Sequence, residues 1–100
     1  MCTSVSPQEF KFLKVNTDTQ VLDVRTPKEH FEEGYIGEDN LNVEDPAFEQ
    51  RLTELDKSRT YLVYCKTGVR SRRACEIMRS KGFNVINLDG GFEKWKTIYA

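Results

Sequence analysis

The chain has 100 residues, of which 38% are hydrophobic and 31% charged, and its formal net charge is -1. This length supports one domain with a single core, and this composition is that of a globular rather than a disordered chain. The opening residues lack the basic and apolar segments of a signal peptide, and no apolar run approaches the roughly 20 residues of a membrane span. We therefore expect one domain over residues 1–100, cytoplasmic and without a membrane partner.

Three helix starts are marked by a proline that directly follows a good capping residue. Proline at the first helical position loses only an N–H that would have no partner there, and the preceding side chain accepts from the next free N–H groups. A glutamate three residues after Thr26 completes a capping box, and Gly34 suits a left-handed helix end. The sequence predicts helices that begin near residues 7, 27 and 46, at Ser6-Pro7, Thr26-Pro27 and Asp45-Pro46.

Short apolar runs rich in β-branched or aromatic residues lie between these helices and predict strands. They cover residues 21–24, 41–43, 61–64 and 85–88, with a brief further strand at 3–5. Strands that alternate with helices indicate a parallel sheet covered on both faces, because each parallel pair needs a crossover. The predicted fold class is therefore α/β.

A fourth helix is predicted from Ser71 to Lys81, ended by Gly82. Its apolar positions form one inward face on which Cys75 is a small core residue. The three cysteines, Cys2, Cys65 and Cys75, have no metal-ligand spacing, and their odd number argues against a closed disulfide framework. We expect reduced thiols and no metal site.

Positive charge is concentrated in residues 65–81, a segment that contains six basic residues and one acidic residue, Glu76. That segment carries +5 and the remainder of the chain -6. The segment could attract an anion, or it could be an ordinary solvated helix face. Nucleic acid is not favoured as a partner, because no aromatic residues interleave with the basic ones.

Cys65 stands at the carboxyl end of the run 61–64, just before a helix, which is where ligands bind in open parallel sheets. Unpaired N–H groups at the helix start, brought close by a tight turn at Gly68, favour the anionic form of a thiol, and the thiolate is the nucleophile. Lys66 and Arg70 flank this loop with positive charge, which suits an anionic sulfur or phosphorus compound.

Loop length distinguishes these two chemistries. A tyrosine phosphatase loop has five residues between cysteine and arginine, whereas here Arg70 leaves four and Arg72 leaves six. The shorter loop encloses a smaller space, better suited to one extra sulfur on Cys65 than to a tetrahedral phosphate. A phosphatase or arsenate reductase is therefore the less favoured alternative.

Several motifs in order resemble those of one family, the single-domain rhodanese sulfurtransferases. Residues 21–27, VLDVRTP, are similar to its early LDVR motif, and Gly34-Tyr35-Ile36 stands where GHI is usual. Residues 64–71, YCKTGVRS, resemble its active-site loop, and residues 89–95, DGGFEKW, its closing GGxxxW motif. The sequence departs from the family pattern at Tyr35 and over residues 37–40.

The resemblance implies a three-layer fold with about five largely parallel strands, and a persulfide cycle at Cys65. In that cycle Cys65 takes a sulfur from a small anionic donor such as thiosulfate and passes it to cyanide, a thiol or a partner protein, without a cofactor. Lys66 and Arg70 would orient the donor. The substrate-binding set implied is Lys66, Thr67, Gly68, Val69, Arg70 and Ser71.

A second hypothesis from the same resemblance is a protein-binding or sulfur-relay module with little catalytic turnover of its own. In that module the positively charged segment would be the surface that binds the partner. Among the other motif residues, Asp23 and Arg25 are expected to have a structural role, paired with neighbours or with loop N–H groups, and His30 to be exposed or satisfied. Gly90 and Gly91 are expected to let the chain turn beneath the active-site loop.

Overall fold

Strands and helices alternate along residues 2–99, the part of the chain that a computed structural model describes. All helices but the last, including one short 3₁₀ helix, lie on the connections between the strands, and the last follows the final strand. In chain order the elements are β1 (Thr3–Val5), α1 (Pro7–Leu13), β2 (Thr19–Asp23), α2 (Pro27–Glu33), α3 (Phe48–Arg51), the 3₁₀ helix (Leu52–Glu54), β3 (Thr60–Tyr64), α4 (Val69–Ser80), β4 (Asn84–Leu88) and α5 (Gly91–Tyr99).

The sheet has the order β1-β4-β3-β2, and every neighbouring pair is parallel. Alternate side chains of β3 point to opposite faces, as the two-residue period of a strand requires. Tyr61 and Val63 pack in the core beneath α3 and α4, whereas Leu62 and Tyr64 pack with residues of α1 and α5. The predicted α/β fold with helices on both faces is confirmed.

The expected count of about five strands is wrong for the described residues, which form four. The run 41–43 follows the end of β2, with the Leu41 N–H donating to the Asp23 carbonyl oxygen, but it makes only an isolated bridge at Asn40. The Asn40 side-chain amide donates to the carbonyl oxygens of Asp23 and Arg25, both at 2.9 Å. The Arg25 N–H donates to the Asp23 carboxylate at 2.9 Å and its carbonyl oxygen accepts from the Asn40 side chain, so the backbone of Arg25 does not extend the bridge into a fifth strand.

Two of the three predicted helix starts are confirmed. The Ser6 hydroxyl accepts from the Glu9 N–H, and Thr26 and Glu29 form the reciprocal capping box that begins α2. The third start is wrong by two residues, because the Asp45 carboxylate accepts from the Ala47 N–H and so stabilises a turn.

Two further helices differ from expectation. Helix α4 begins at Val69 instead of Ser71, directly after Gly68, whose φ is 106°. Helix α5 was not predicted, because the pair Gly90-Gly91 at its start is typical of a turn.

The expectation of reduced thiols is wrong for two of the three cysteines. Cys2 and Cys75 form a disulfide with their Cα atoms 5.9 Å apart, and only Cys65 is free. An odd number of cysteines excludes complete pairing but not a single bridge. Because β1 pairs with β4 and α4 covers β4, the fold brings Cys2 next to the buried Cys75.

The expected structural role of Asp23 and Arg25 is confirmed, since the two side chains pair with each other and His30 joins them. All three side chains are buried; the Asp23 carboxylate accepts from Arg25 Nη2 at 2.7 Å and lies 2.8 Å from His30 Nδ1. Arg25 Nη2 also donates to the Gly34 carbonyl oxygen at 2.7 Å. This network holds the end of α2 against β2.

No helix within residues 2–99 is both long and apolar enough to span a bilayer.

Candidate active site

Cys65 lies immediately after β3, at the carboxyl edge of the sheet, as its position in the sequence predicts. The residue is 1% exposed, and its Sγ accepts a hydrogen bond from the Gly68 N–H with a sulfur–nitrogen distance of 3.0 Å. The loop therefore folds back over the sulfur and directs a backbone donor at it.

The start of α5 supports this loop from beneath. The Phe92 N–H donates to the Cys65 carbonyl oxygen at 2.8 Å, and the Glu93 N–H donates to the Lys66 carbonyl oxygen at 3.0 Å. Gly91 has a φ of 64°, and a Cβ built on it would lie 2.7 Å from the Cys65 carbonyl oxygen. The expected turn of Gly90 and Gly91 beneath the loop is confirmed, and only glycine allows so close an approach.

Helix α4 begins beside the sulfur with its first N–H groups unpaired. Within the described chain no side chain caps this helix, and Arg72 is the first residue whose N–H reaches back, to the Gly68 carbonyl oxygen at 3.1 Å. The N–H groups of residues 69–71 have no carbonyl of the helix to bond. The Ser71 hydroxyl, fully buried, likewise has no partner among residues 2–99. Hydrogen-bond donors are therefore concentrated at the start of α4, where an anion is favoured.

The sequence suggests that Arg70 is available to bind an anionic donor, but in the structure its guanidinium is already paired with carboxylates. Its guanidinium forms two hydrogen bonds with Glu29, at 2.6 Å and 2.8 Å, and Nη1 lies 3.5 Å from Oε1 of Glu44. The Glu29 carboxylate raises the pKa of Arg70, against the effect of burial, and the charges at Cys65 and Glu44 contribute in the same direction. Arg70 in turn lowers the pKa of Glu29 to about 2, with hydrogen bonds from Thr26 adding to the effect and burial opposing it.

The remaining predicted residues of the loop differ in exposure. Lys66 and Thr67 are exposed, Gly68 is buried, and the side chain of Val69 is 75% exposed. Of the predicted residues 66–71, Gly68 contacts the Cys65 sulfur, and Lys66 is a loop cation that no carboxylate of the described chain pairs.

Sequence reasoning missed Glu29 and Glu44 as neighbours of the site. The sequence explains Glu29 as part of the capping box of α2. No sequence pattern indicates its contact with Arg70, which lies 41 residues away. The described residues contain no group of three or more histidine, cysteine or acidic side chains suited to a metal ion.

The chain belongs to the Rhodanese-like domain family, whose model matches residues 6–98. It is 35% identical over 79 residues to a sulfurtransferase of Allochromatium vinosum, covering 78% of this chain and 72% of the relative. It is 41% identical over 78 residues to the uncharacterized protein YqhL of Bacillus subtilis, covering 76% of this chain and 60% of YqhL.

One solved structure shows the same fold over almost the whole chain. A rhodanese-related protein from Thermoplasma volcanium superposes with a TM-score of 0.85 at 24% identity, covering 98% of this chain and 95% of that one.

Proposed function

We propose that the protein is a sulfurtransferase that carries a sulfane sulfur as a persulfide on Cys65. One observation carries the proposal: the Cys65 sulfur, already bonded by the Gly68 N–H, lies at the uncapped start of α4. Membership of the Rhodanese-like domain family supports the same assignment.

In the first half-reaction the Cys65 thiolate attacks the outer sulfur of thiosulfate or a similar donor. A bond forms between the two sulfurs, the sulfur–sulfur bond of the donor breaks, and its electron pair leaves with sulfite. The N–H groups of residues 68–71 and the Ser71 hydroxyl stabilise the negative charge of the persulfide, as an oxyanion hole does for oxygen. Lys66 attracts the donor.

In the second half-reaction an acceptor attacks the outer sulfur of the persulfide and restores the Cys65 thiolate. Cyanide gives thiocyanate, and a small thiol or a cysteine of a partner protein gives a new persulfide. No electrons enter or leave the protein over the cycle, so neither a redox cofactor nor a metal is required.

The near-complete burial of Cys65 means that the loop must yield slightly for a donor to reach the sulfur. The side chains of Lys66 and Thr67 are exposed and make no hydrogen bond within the described chain, so they can move aside while α5 holds the carbonyl oxygens of Cys65 and Lys66.

Mass spectrometry of the intact protein before and after incubation with donor tests the proposal. Wild type should gain the mass of one sulfur, reversibly with reductant, and Cys65→Ser should gain none. The variant Cys2→Ser/Cys75→Ser, which retains only Cys65, is the matched control and should load as wild type does. An unmodified wild type that also forms no thiocyanate would overturn the proposal.

A second candidate function, the docking or sulfur-relay module, is supported by the exposed side chain of Val69 beside the exposed Arg72 and Arg73. Charge reversal at both arginines separates the two functions. If the protein is a relay module, this change should abolish binding of its protein partner. If it is an enzyme, the formation of thiocyanate from thiosulfate and cyanide should continue at the wild-type rate. A cytoplasmic location stays a prediction.

A further inference from the structure

The charge around Arg70 bears on the donor that Cys65 accepts, given the sulfurtransferase function proposed above. A free guanidinium in this loop would add a full positive charge for an incoming anion. Here the guanidinium is bound through both terminal nitrogens to Glu29, and Glu44 approaches Nη1 from a second direction. One cation therefore stands between two carboxylates, and the three groups together carry a negative charge.

The Glu29 carboxylate is fixed in this place by more than Arg70. Its Oε1 also accepts hydrogen bonds from the N–H and hydroxyl of Thr26, at 3.2 Å and 3.1 Å. The side chains of Glu29 and Arg70 are only 19% and 25% exposed. The ion pair is thus built into the start of α2, and a donor would have to break it to use the guanidinium.

What remains for a donor is a modest positive potential. Within the loop it comes from Lys66, which is exposed, and from the partial charge of the α4 start, equivalent to roughly half an elementary charge; Arg72 and Arg73 add exposed cations beyond the loop. A singly charged persulfide matches this potential. Thiosulfate brings a second negative charge toward a pair of carboxylates, which is unfavourable at short range.

We propose that Glu29 and Glu44 act as specificity-determining residues that direct Cys65 toward singly charged organic persulfides and against the dianion thiosulfate. The Cys65 thiolate attacks the outer sulfur of R–S–S⁻; the new sulfur–sulfur bond forms as the old one breaks, and the thiolate R–S⁻ leaves with the electron pair. Both glutamates act through charge at Arg70 and do not touch the reacting atoms.

The test compares second-order rate constants for sulfur loading of Cys65 by two donors, followed by mass spectrometry without an acceptor. The donors are thiosulfate and the persulfide of 2-mercaptoethanol, which carries a single negative charge. The variants are Glu29→Gln and Glu44→Gln. Glutamine at position 29 can still complete the capping box, so α2 should form. Glu49→Gln is the control, because Glu49 pairs with Lys81 away from the loop.

Wild type should load faster from the persulfide. The ratio of the thiosulfate rate constant to the persulfide rate constant should rise about tenfold in Glu29→Gln, since one full charge is removed beside the guanidinium. It should rise about two- to threefold in Glu44→Gln, whose side chain is 53% exposed and more strongly screened, and stay unchanged in Glu49→Gln. A purely structural role would change both rate constants together and leave the ratio constant.

A ratio that is the same in wild type, Glu29→Gln and Glu44→Gln would overturn this inference while leaving the sulfurtransferase function intact. If Glu29→Gln fails to fold, Glu44→Gln decides alone, because Glu44 takes part in no helix cap. Failure of wild type to load from either donor would instead overturn the proposed function, and this inference with it.

Discussion

The Phe92 N–H donates a hydrogen bond to the carbonyl oxygen of Cys65, so the first turn of α5 fixes the backbone of the candidate nucleophile. The two residues meet at the edge of the sheet, where β3 ends and α5 begins. This contact is possible because Gly91, directly before Phe92, brings its backbone against the loop without a side chain.

Gly91→Ala should destabilise the protein and slow sulfur loading of Cys65. A left-handed φ costs a residue with a Cβ roughly 1–2 kcal/mol, and here the added carbon would also overlap the loop backbone. Gly82→Ala is the control, because Gly82 has a φ of 92° but its nearest neighbour for a Cβ is the flexible tip of Lys57 at 3.9 Å. Chemical denaturation and loading rates should show the larger loss for Gly91→Ala. Equal effects of the two substitutions would contradict the close packing inferred for the loop.

The Glu29–Arg70 pair should make stability depend on pH in acid. The pKa of Glu29 is lowered from 4.5 to about 2, so its contribution is fully present above about pH 4.5 and is lost as the pH falls toward 2. A shift of this size corresponds to at most about 3 kcal/mol, which solvent screening of the partly exposed pair reduces. Unfolding measured between pH 6 and pH 2 should show this loss in wild type and in Glu49→Gln, and a smaller loss in Glu29→Gln. The same dependence of unfolding free energy on pH in wild type and Glu29→Gln would contradict this contribution of the Glu29–Arg70 pair.

Arg25→Met should cost about 3–5 kcal/mol of the free energy of unfolding, because it leaves the Asp23 carboxylate buried without its cation. Arg51→Met removes an exposed partner of Asp45 and should cost less than about 1 kcal/mol. Urea denaturation of both variants checks the difference. Similarly small losses of unfolding free energy in the two variants would show that the Asp23 carboxylate does not depend on Arg25 as its partner.

The Cys2–Cys75 disulfide should contribute about 2–4 kcal/mol by limiting the freedom of the unfolded chain. The bridge closes most of the sequence, with a separation of 73 residues. A reducing agent should lower the denaturation midpoint of wild type and leave that of Cys2→Ser/Cys75→Ser unchanged. Thiol titration of the unreduced, denatured protein should find one thiol; finding three would show that the bridge is not formed.

Local signals in the sequence predicted those parts of the fold that depend on neighbouring residues. The caps at Ser6 and Thr26 involve partners three residues away, and both helices begin where predicted. The loop around Cys65 was equally visible, since a strand, a cysteine, a glycine and a helix follow one another directly.

What the sequence did not reveal depends on contacts between distant segments. The disulfide requires β1 to lie beside β4, and the charge at Arg70 depends on Glu29 in another helix. The fifth strand does not form for a similar reason, because side chains of Asp23 and Asn40 bond the backbone N–H and carbonyl oxygen of Arg25, which no local pattern indicates.

The central claim is that backbone N–H groups at the start of α4 hold a persulfide on Cys65. Amide NMR spectra of the protein before and after sulfur loading test it most directly. We predict that the N–H resonances of residues 68–71 shift, while those of Arg79 and Ser80 at the far end of α4 stay in place. A protein that loads sulfur on Cys65 without shifts at residues 68–71, or that loads none, would contradict the account.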